Sequence, residues 1–179
     1  MTCIVGYVAN GVVYIGADSA AAQGWEVVPL LIPKVFHRGP FLIAYTDSFR
    51  MGQILQYDLH PPEQENGEEI HQFMASKFVG AVREALRRNG WMTVKDGQES
   101  GGTFLVGYRG HLYGIHSDFQ VMESAMHVQA YGVGREYALG AMLALSALAP
   151  EARIRASILI ASQWCAGICE PIHVLEARP

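Results

Sequence analysis

The sequence predicts a layered α+β domain in which two β-sheets pack on each other and helices cover their outer faces. The predicted segments come in the order strands, a helix pair, strands, a second helix pair and a last strand. A continuous βαβ alternation is missing, which argues against a doubly wound parallel fold. Half of the 179 residues are hydrophobic, which indicates a large interior or extensive interfaces. We therefore expect one domain that spans residues 1–179.

The chain starts with two strands that are predicted to form a hairpin. Residues 2–8 and 12–17 are rich in β-branched and apolar residues. The Asn-Gly pair at 10–11 is the strongest signal for a two-residue hairpin turn. Two further short strands are predicted to start at Lys34 and at Phe41, with a Gly-Pro turn between them.

The first helix pair follows these strands. From Ser48 the apolar residues recur at helical spacing, which predicts a helix that stops at Pro61. A second, longer helix is predicted after Asn66, with Asn66 as its cap and Glu69 as the capping-box partner. This helix is expected to end near Asn89, where a glycine follows.

The second half of the chain again has strands followed by two helices. Four short strands are predicted between residues 102 and 133, separated by Gly, Ser or Asp. Two helices are predicted at about 135–148 and 151–165, and Pro150 suits the first turn of the second one. The segment 172–176 predicts a final strand.

Charge, hydropathy and cysteine content exclude several classes of protein. The net charge of -4 and the pI near 5.9 argue against binding to nucleic acid. No apolar stretch reaches the roughly 18 residues that a membrane span needs, and the N-terminus lacks the pattern of a secretory signal. Three cysteines, at positions 3, 165 and 169, cannot all pair within the chain. We therefore expect a cytoplasmic protein without a membrane segment or a nucleic-acid partner.

Thr2 stands directly behind the initiator methionine, where a hydroxyl side chain can have a chemical role. Methionine aminopeptidases remove Met1 when the next residue is small, so we expect the mature chain to start at Thr2. A threonine hydroxyl is a poor nucleophile and needs a base within hydrogen-bond reach. A free α-amine, with a reference pKa of about 7.7 to 8.0, can accept that proton directly or through one water.

Such a site also needs a cation beside the nucleophile, a carboxylate that holds the cation, and backbone N–H donors for an oxyanion. Asp18 ends the strand that is predicted to pair with the strand of Thr2, and Lys34 opens the next strand. A lysine buried there without a carboxylate would be strongly destabilised. We therefore predict that Asp18 and Lys34 form a pair next to Thr2.

These residues resemble the proteasome β-subunit and HslV-type family of N-terminal nucleophile hydrolases, which are threonine peptidases. Thr2, the strand that ends in "GADS" at Asp18, and Lys34 in "IPKVF" follow the family's catalytic pattern, with sixteen positions between each pair. The likeness in element order covers nearly the whole chain. It implies a four-layer αββα sandwich and a peptidase that cleaves peptide (amide) bonds through an acyl-enzyme. In that reading Thr2 is the nucleophile, its amine is the general base, and Asp18 holds Lys34.

The resemblance also places the residues that support the reaction. It assigns the backbone N–H that binds the oxyanion to "YTDSFR", at Asp47 or Ser48, where no glycine stands. Val133 lies between two glycines where the family often has serine, while Gln163 and Ala166 take the places of a common aspartate and serine. The family residues at these positions orient the threonine amine and shuttle its proton, and Gln163 still offers an acceptor.

The resemblance further implies a homo-oligomeric ring, a peptide or protein substrate and an AAA+ ATPase unfoldase as a partner. We expect no cofactor and no metal, because Cys165 and Cys169 lack a second ligand pair and the seven histidines are scattered. Two alternatives stay open. The altered positions 133, 163 and 166 allow a catalytically inactive ring or scaffold protein of the same fold, and a small-molecule amidase would use the same nucleophile.

Overall fold

The computed structural model describes residues 1–24 and 26–179, which form a sandwich of four layers. Two antiparallel sheets lie face to face in the middle of this part of the chain, and helices cover the outer face of each sheet. Two two-stranded hairpins are separate from these sheets. The predicted α+β arrangement with four layers is confirmed.

The first sheet has four strands and contains the N-terminal hairpin. Its order is β12 (Val128–Gly132), β1 (Cys3–Ala9), β2 (Val12–Ala17) and β13 (His173–Ala177). The turn at 10–11 has positive φ at both residues, 52° and 76°, as a type I′ turn requires. The predicted hairpin is therefore confirmed.

The second sheet has five strands and lies against the first. Its order is β11 (Val121–Glu123), β10 (His111–Ile115), β9 (Phe104–Tyr108), β6 (Phe41–Tyr45) and β5 (Val35–Arg38). All neighbouring strands in it are antiparallel. Each of these strands overlaps a strand that the sequence predicts.

Two hairpins are present that the sequence analysis did not predict. One pairs β3 (Ala20–Gln23) with β4 (Glu26–Pro29), and the other pairs β7 (Thr93–Lys95) with β8 (Gln98–Ser100). The first contains an alanine run with low strand propensity, so its pairing has little local signal. The second turns at an Asp-Gly pair, positions 96 and 97, which is a recognised hairpin signal.

The helices on the second sheet differ from the prediction at their ends. Helix α1 (Phe49–Tyr57) stops before the prolines, while α2 (Ile70–Phe73), a π-helical turn (Met74–Phe78) and α3 (Val79–Arg88) follow one another as one continuous helix. The predicted Asn66 cap is wrong. Residue 66 lies in an earlier turn, and the carboxylate of Glu69 caps the helix by accepting from two backbone N–H groups. A negative charge at a helix N-terminus is favourable, which explains why Glu69 takes this position.

The helices on the first sheet are α4 (Arg135–Ala144) and α5 (Pro150–Ser162). Pro150 lies in the first turn of α5, as predicted. Both helices end earlier than predicted, since a turn at 145–147 follows α4 and a turn at 163–164 follows α5. No helix in residues 1–24 and 26–179 is both long and apolar enough to cross a membrane.

Alternating side chains divide the interior into three apolar layers. Along each strand, every second side chain points between the two sheets, and the side chains in between point toward the helices. The layer between the sheets includes Ile4, Val13, Ile15, Leu42 and Leu105, which are fully buried. Because a one-residue slip would turn these side chains to the wrong face, the register of the strands is strongly fixed.

Candidate active site

Three strand ends meet at one corner of the sandwich. In the first sheet, Ile4 pairs with Ala17, which sets Thr2, just before β1, close to Asp18, just after β2. Lys34 lies directly before β5 in the facing sheet. The fixed register of the core strands therefore brings the three predicted residues together.

The three side chains form one hydrogen-bonded chain. The Nζ atom of Lys34 lies 3.0 Å from Oδ1 of Asp18 and 3.0 Å from Oγ1 of Thr2. Asp18 and Lys34 are fully buried, and Thr2 is 4% exposed. Burial makes the ion pair interdependent, since either charge without the other would be strongly destabilising.

Backbone donors fix the carboxylate of Asp18. Its Oδ1 also accepts a hydrogen bond from the N–H of Cys3 at 2.9 Å, and its Oδ2 accepts one from the N–H of Ala20 at 2.8 Å. Hydrogen bonds to an ionised acceptor are among the stronger ones in proteins. Asp18 therefore joins the start of β1, the start of β3 and Lys34 in one rigid unit.

The side chains at this corner are buried, and burial shifts the pKa values of two of them. Burial lowers the pKa of Lys34, and the neighbouring charge of Asp18 acts in the opposite direction. Burial also raises the pKa of the Cys3 thiol to about 12. The ring of Phe49 lies 6.0 Å from the Lys34 ammonium. In such surroundings a charge acts more strongly on a neighbouring oxygen than it does in water.

Met1 covers Thr2 in this structure. The Thr2 hydroxyl donates a hydrogen bond to the Met1 carbonyl oxygen at 2.5 Å, and Met1 itself is half exposed. Its side chain lies on Gly167, where an added Cβ would come within 2.3 Å of the Met1 Cβ. At Gly132, which has a φ of +94°, an added Cβ would lie 2.0 Å from the Thr2 carbonyl oxygen. Glycines at 132 and 167 thus allow the chain to approach Met1 and Thr2 closely.

Asp47 and Ser48 lie in the loop between β6 and α1. The Asp47 carboxylate accepts from the N–H of Thr103 at 2.8 Å, and Asp47 has a positive φ of 65°. The N–H of Ser48 donates to the carbonyl oxygen of Thr46 at 2.7 Å, and the Ser48 hydroxyl caps α1. Of the two predicted oxyanion donors, the N–H of Ser48 is therefore already engaged within the loop, whereas the N–H of Asp47 donates to no acceptor among residues 1–24 and 26–179.

The two predicted supporting side chains lie at the protein surface. Val133 follows β12 and is 43% exposed. Gln163 caps the C-terminus of α5, and its side chain is exposed. Ala166 is exposed as well. Within the described ranges 1–24 and 26–179, the structure shows no hydrogen bond from Gln163 to Thr2, so its supporting role stays a prediction.

Several groups at the corner were missed by sequence reasoning. They are the N–H groups of Cys3 and Ala20, which hold Asp18, and the two glycines that face Met1 and Thr2. Backbone donors have no residue signature, and the glycine at 132 enters the sequence analysis only as a neighbour of Val133. In the part of the chain that the structure describes, no group of three or more His, Cys, Asp or Glu side chains is placed to hold a metal ion.

The architecture of the described residues is shared with several solved structures. Two facing antiparallel sheets between two helical layers form the sandwich of the proteasome-like N-terminal nucleophile hydrolases. Solved structures of HslV and Anbu proteins match the chain over 99% of its length. No protein-family model and no curated protein matches the sequence.

Three solved structures illustrate the likeness. BPH from Thiobacillus denitrificans, in complex with epoxomicin, has a TM-score of 0.80 at 20% identity and covers 99% of this chain and 100% of its own. HslV from Trypanosoma brucei has a TM-score of 0.69 at 17% identity, with 99% and 100% covered. Anbu (ancestral beta-subunit) from Yersinia bercovieri has a TM-score of 0.68 at 14% identity, with 99% and 82% covered. At these identities the likeness concerns the fold.

Proposed function

We propose that this protein is a threonine hydrolase that cleaves peptide (amide) bonds with Thr2 as its nucleophile, once Met1 has been removed. The observation that carries the proposal is the chain of 3.0 Å contacts from Asp18 through Lys34 to the Thr2 hydroxyl, in a buried corner. A fully buried lysine aimed at a hydroxyl is an unusual arrangement for a merely structural ion pair, because burial of a charge is unfavourable. Burial lowers the pKa of Lys34, and ionisable groups shifted by burial beside a specific charge partner are found preferentially at functional sites.

Removal of Met1 would change the site in two ways. The Thr2 hydroxyl would lose the Met1 carbonyl as its hydrogen-bond acceptor, and the space over Gly167 would open. A free α-amine would arise on the residue that carries the nucleophile. This amine is a suitable general base, because its reference pKa of about 7.7 to 8.0 is close to neutral pH.

The reaction would then proceed in two halves. The Thr2 Oγ1 attacks the substrate carbonyl carbon, a C–O bond forms, and the hydroxyl proton passes to the Thr2 amine. Collapse of the tetrahedral intermediate breaks the C–N bond, and the leaving amine takes up the proton. Water then attacks the resulting ester with the Thr2 amine again as base, which releases the acid and restores the hydroxyl. The positive charge of Lys34, held by Asp18, stabilises negative charge as it develops on Oγ1.

The oxyanion of the intermediate needs a donor on the side of the loop at 46–48. We propose that the N–H of Asp47 is the donor that is ready in this conformation, since the N–H of Ser48 donates to Thr46. Rotation of the Asp47–Ser48 peptide would be needed to free the N–H of Ser48. In either case the donor is a backbone group, so the absence of glycine at these positions leaves it in place.

The experiment that tests the function combines a mutation, a probe and a mass measurement. Thr2→Ala should lower hydrolysis of acylated fluorogenic peptides by at least about a thousandfold, because it removes the nucleophile. Thr2→Ser is the matched control, since it keeps a hydroxyl beside the amine and should retain part of the activity. An epoxyketone probe should label Thr2 of the wild-type chain, and its intact mass should lack Met1. Undiminished hydrolysis by Thr2→Ala would exclude the proposed nucleophile.

One observation favours a second candidate, a catalytically inactive ring or scaffold protein of the same fold. The side chains of Val133 and Gln163 are exposed and leave the position of the Thr2 amine without a polar side chain from these two sites. Intact mass separates the two candidates, because a chain that retains Met1 has no free amine on Thr2. A small-molecule amidase would instead be indicated by hydrolysis of short amides without hydrolysis of peptides.

We also propose the setting in which this activity operates. The whole-chain match to HslV supports a homo-oligomeric ring that acts on peptide or protein substrates in the cytoplasm. An AAA+ unfoldase is proposed as a separate partner. Stimulation of protein hydrolysis, but not of peptide hydrolysis, by a co-purified ATPase would test this partner.

A further inference from the structure

The two sheets of the sandwich leave open edges on opposite sides of the molecule. The first sheet ends at β12 and β13, and the second sheet ends at β11 and β5. Strand β13 packs beside β5 on one side, while β12 lies near β10 on the other side and shares a cavity with β11. Open sheet edges are sites where another chain can attach.

An apolar cavity lies at the β11/β12 edge. It has a volume of about 300 Å³ and is bounded by β11, β12 and α4. Apolar side chains dominate its lining, among them Met122, Met126, Leu139 and Leu143. Three of these side chains are also substantially exposed, with Met126 at 64%. Arg135, in the first turn of α4, adds a positive charge to the lining.

An apolar segment projects at the opposite edge. Residues 28–32 comprise the end of β4 and the three residues after it, and they expose Leu31 at 94%, Val28 at 58% and Ile32 at 53%. Adjacent bulky apolar side chains in water are unfavourable and mark interaction sites on soluble domains. Glu26, at the start of β4, is exposed near this segment.

We propose that the apolar segment 28–32 of one copy of this chain inserts into the β11/β12 cavity of the next copy. The two surfaces are different and lie on opposite edges, so each copy offers one of each and the contact is head-to-tail. Charge also favours the segment of a second copy as the occupant of the cavity, because Glu26 beside the segment and Arg135 in the cavity are opposite in sign. Neither of the two has an ion-pair partner within residues 1–24 and 26–179.

The contact would connect assembly to the candidate active site. The N–H of Leu30 donates to the carbonyl oxygen of Ser19 at 2.7 Å, and the N–H of Ala20 holds the Asp18 carboxylate. A segment held by a second copy is therefore linked to the Asp18 carboxylate through two backbone hydrogen bonds. This contact would supply a surface for the ring assembly proposed above. It does not depend on hydrolysis, since Thr2→Ala leaves both surfaces unchanged.

Sedimentation velocity on the full chain over a range of concentrations tests the contact. Leu31→Asp alters the segment and Met126→Asp alters the cavity, and each should raise the dissociation constant by about tenfold or more, since a charge is then buried without a partner. Val94→Asp is the matched control. This residue is 63% exposed on the β7–β8 hairpin, away from both surfaces, and its variant should assemble like the wild type.

A mixing experiment tests the head-to-tail geometry. The Leu31→Asp variant keeps its cavity and the Met126→Asp variant keeps its segment, so an equimolar mixture should form one-to-one pairs that neither variant forms alone. Glu26→Arg and Arg135→Glu should each weaken assembly, and their combination should restore it. A wild-type chain that stays monomeric, surface variants that assemble like the wild type, or a mixture that does not pair would overturn the proposal. Circular dichroism of each variant checks that it is folded. If an aspartate variant does not fold, the Glu26→Arg and Arg135→Glu variants decide whether the contact forms.

Discussion

The residues at the corner of the sandwich and the residues predicted to support them lie in opposite environments. Thr2, Asp18 and Lys34 are at most 4% exposed and are joined by contacts of 3.0 Å. Val133 is 43% exposed, and Gln163 lies at the exposed end of a helix. The corner is positioned by strand register, which the core enforces, whereas the supporting positions follow a strand end and a helix end, where the chain tolerates change.

This difference indicates which part of the site is structurally obligatory. Asp18 and Lys34 neutralise each other in the interior, so neither can change alone without a large loss of stability. Side chains at 133 and 163 have no such coupling to the core. A chain could therefore keep the inner group, Thr2, Asp18 and Lys34, while the outer positions 133 and 163 change. In this chain those two positions differ from the residues that are common in the family it resembles.

The largest expected effect follows from removal of Lys34. Lys34→Ala leaves the Asp18 carboxylate buried with only backbone donors, so we expect the free energy of unfolding to fall by about 3 to 5 kcal/mol. Hydrolysis should fall by at least about a hundredfold, because the charge beside Oγ1 is lost. Urea denaturation and a peptide hydrolysis assay measure the two effects.

Lys77→Ala provides the control for this comparison. Lys77 is also paired with carboxylates, those of Glu65 and Glu68, but its side chain is 39% exposed. Exposed pairs contribute little, so this variant should remain close to the wild type in both assays. Equal losses from Lys34→Ala and Lys77→Ala would contradict the division into an obligatory corner and a tolerant surface.

The alkaline stability of the protein tests how dry the corner is. Burial raises the pKa of Cys3 from 9.0 to about 12, so the folded thiol stays neutral while the unfolded thiol ionises above pH 9. The unfolded state then binds fewer protons than the folded state, and stability falls as the pH rises between pH 9 and about 12. The slope from this one group is about 1.4 kcal/mol per pH unit.

Cys3→Ala should remove this part of the slope. Urea denaturation at a series of values from about pH 8 to about pH 10.5 compares it with the wild type and with Cys165→Ala. Cys165 is only partly buried and serves as the matched control. Parallel pH profiles for wild type and Cys3→Ala would mean that water reaches the start of β1.

Much of the fold is predictable from the sequence because the signals are local. The Asn-Gly turn at 10–11 and the helical spacing after Ser48 each identify their element without tertiary information. The β3–β4 hairpin could not be predicted in this way, since an alanine run has no strand preference of its own. The cap at Glu69 was missed because the sequence offered Asn66 as a competing cap, and only the path of the chain decides between them.

The candidate site also has features that the sequence predicts and features that it does not. The order and spacing of Thr2, Asp18 and Lys34 suggested a meeting point, and the strand register provides it. The donors that hold Asp18 are backbone groups, which no residue pattern reveals. The exposure of Gln163 depends on where α5 ends, and helix ends are the least predictable part of a helix.

The smallest expected effect comes from Gln163 and sharpens the comparison most. Gln163→Ala removes an exposed amide that does not hydrogen-bond to Thr2, so the melting temperature should change by less than about 2 °C and hydrolysis by less than about threefold. Gln53→Ala is the control, since Gln53 is an exposed amide on α1. A tenfold fall in hydrolysis for Gln163→Ala alone, with an unchanged melting temperature, would place Gln163 with the inner group. Such a result would require the end of α5 to move toward Thr2 once Met1 has left, because Met1 now occupies the space over Gly167.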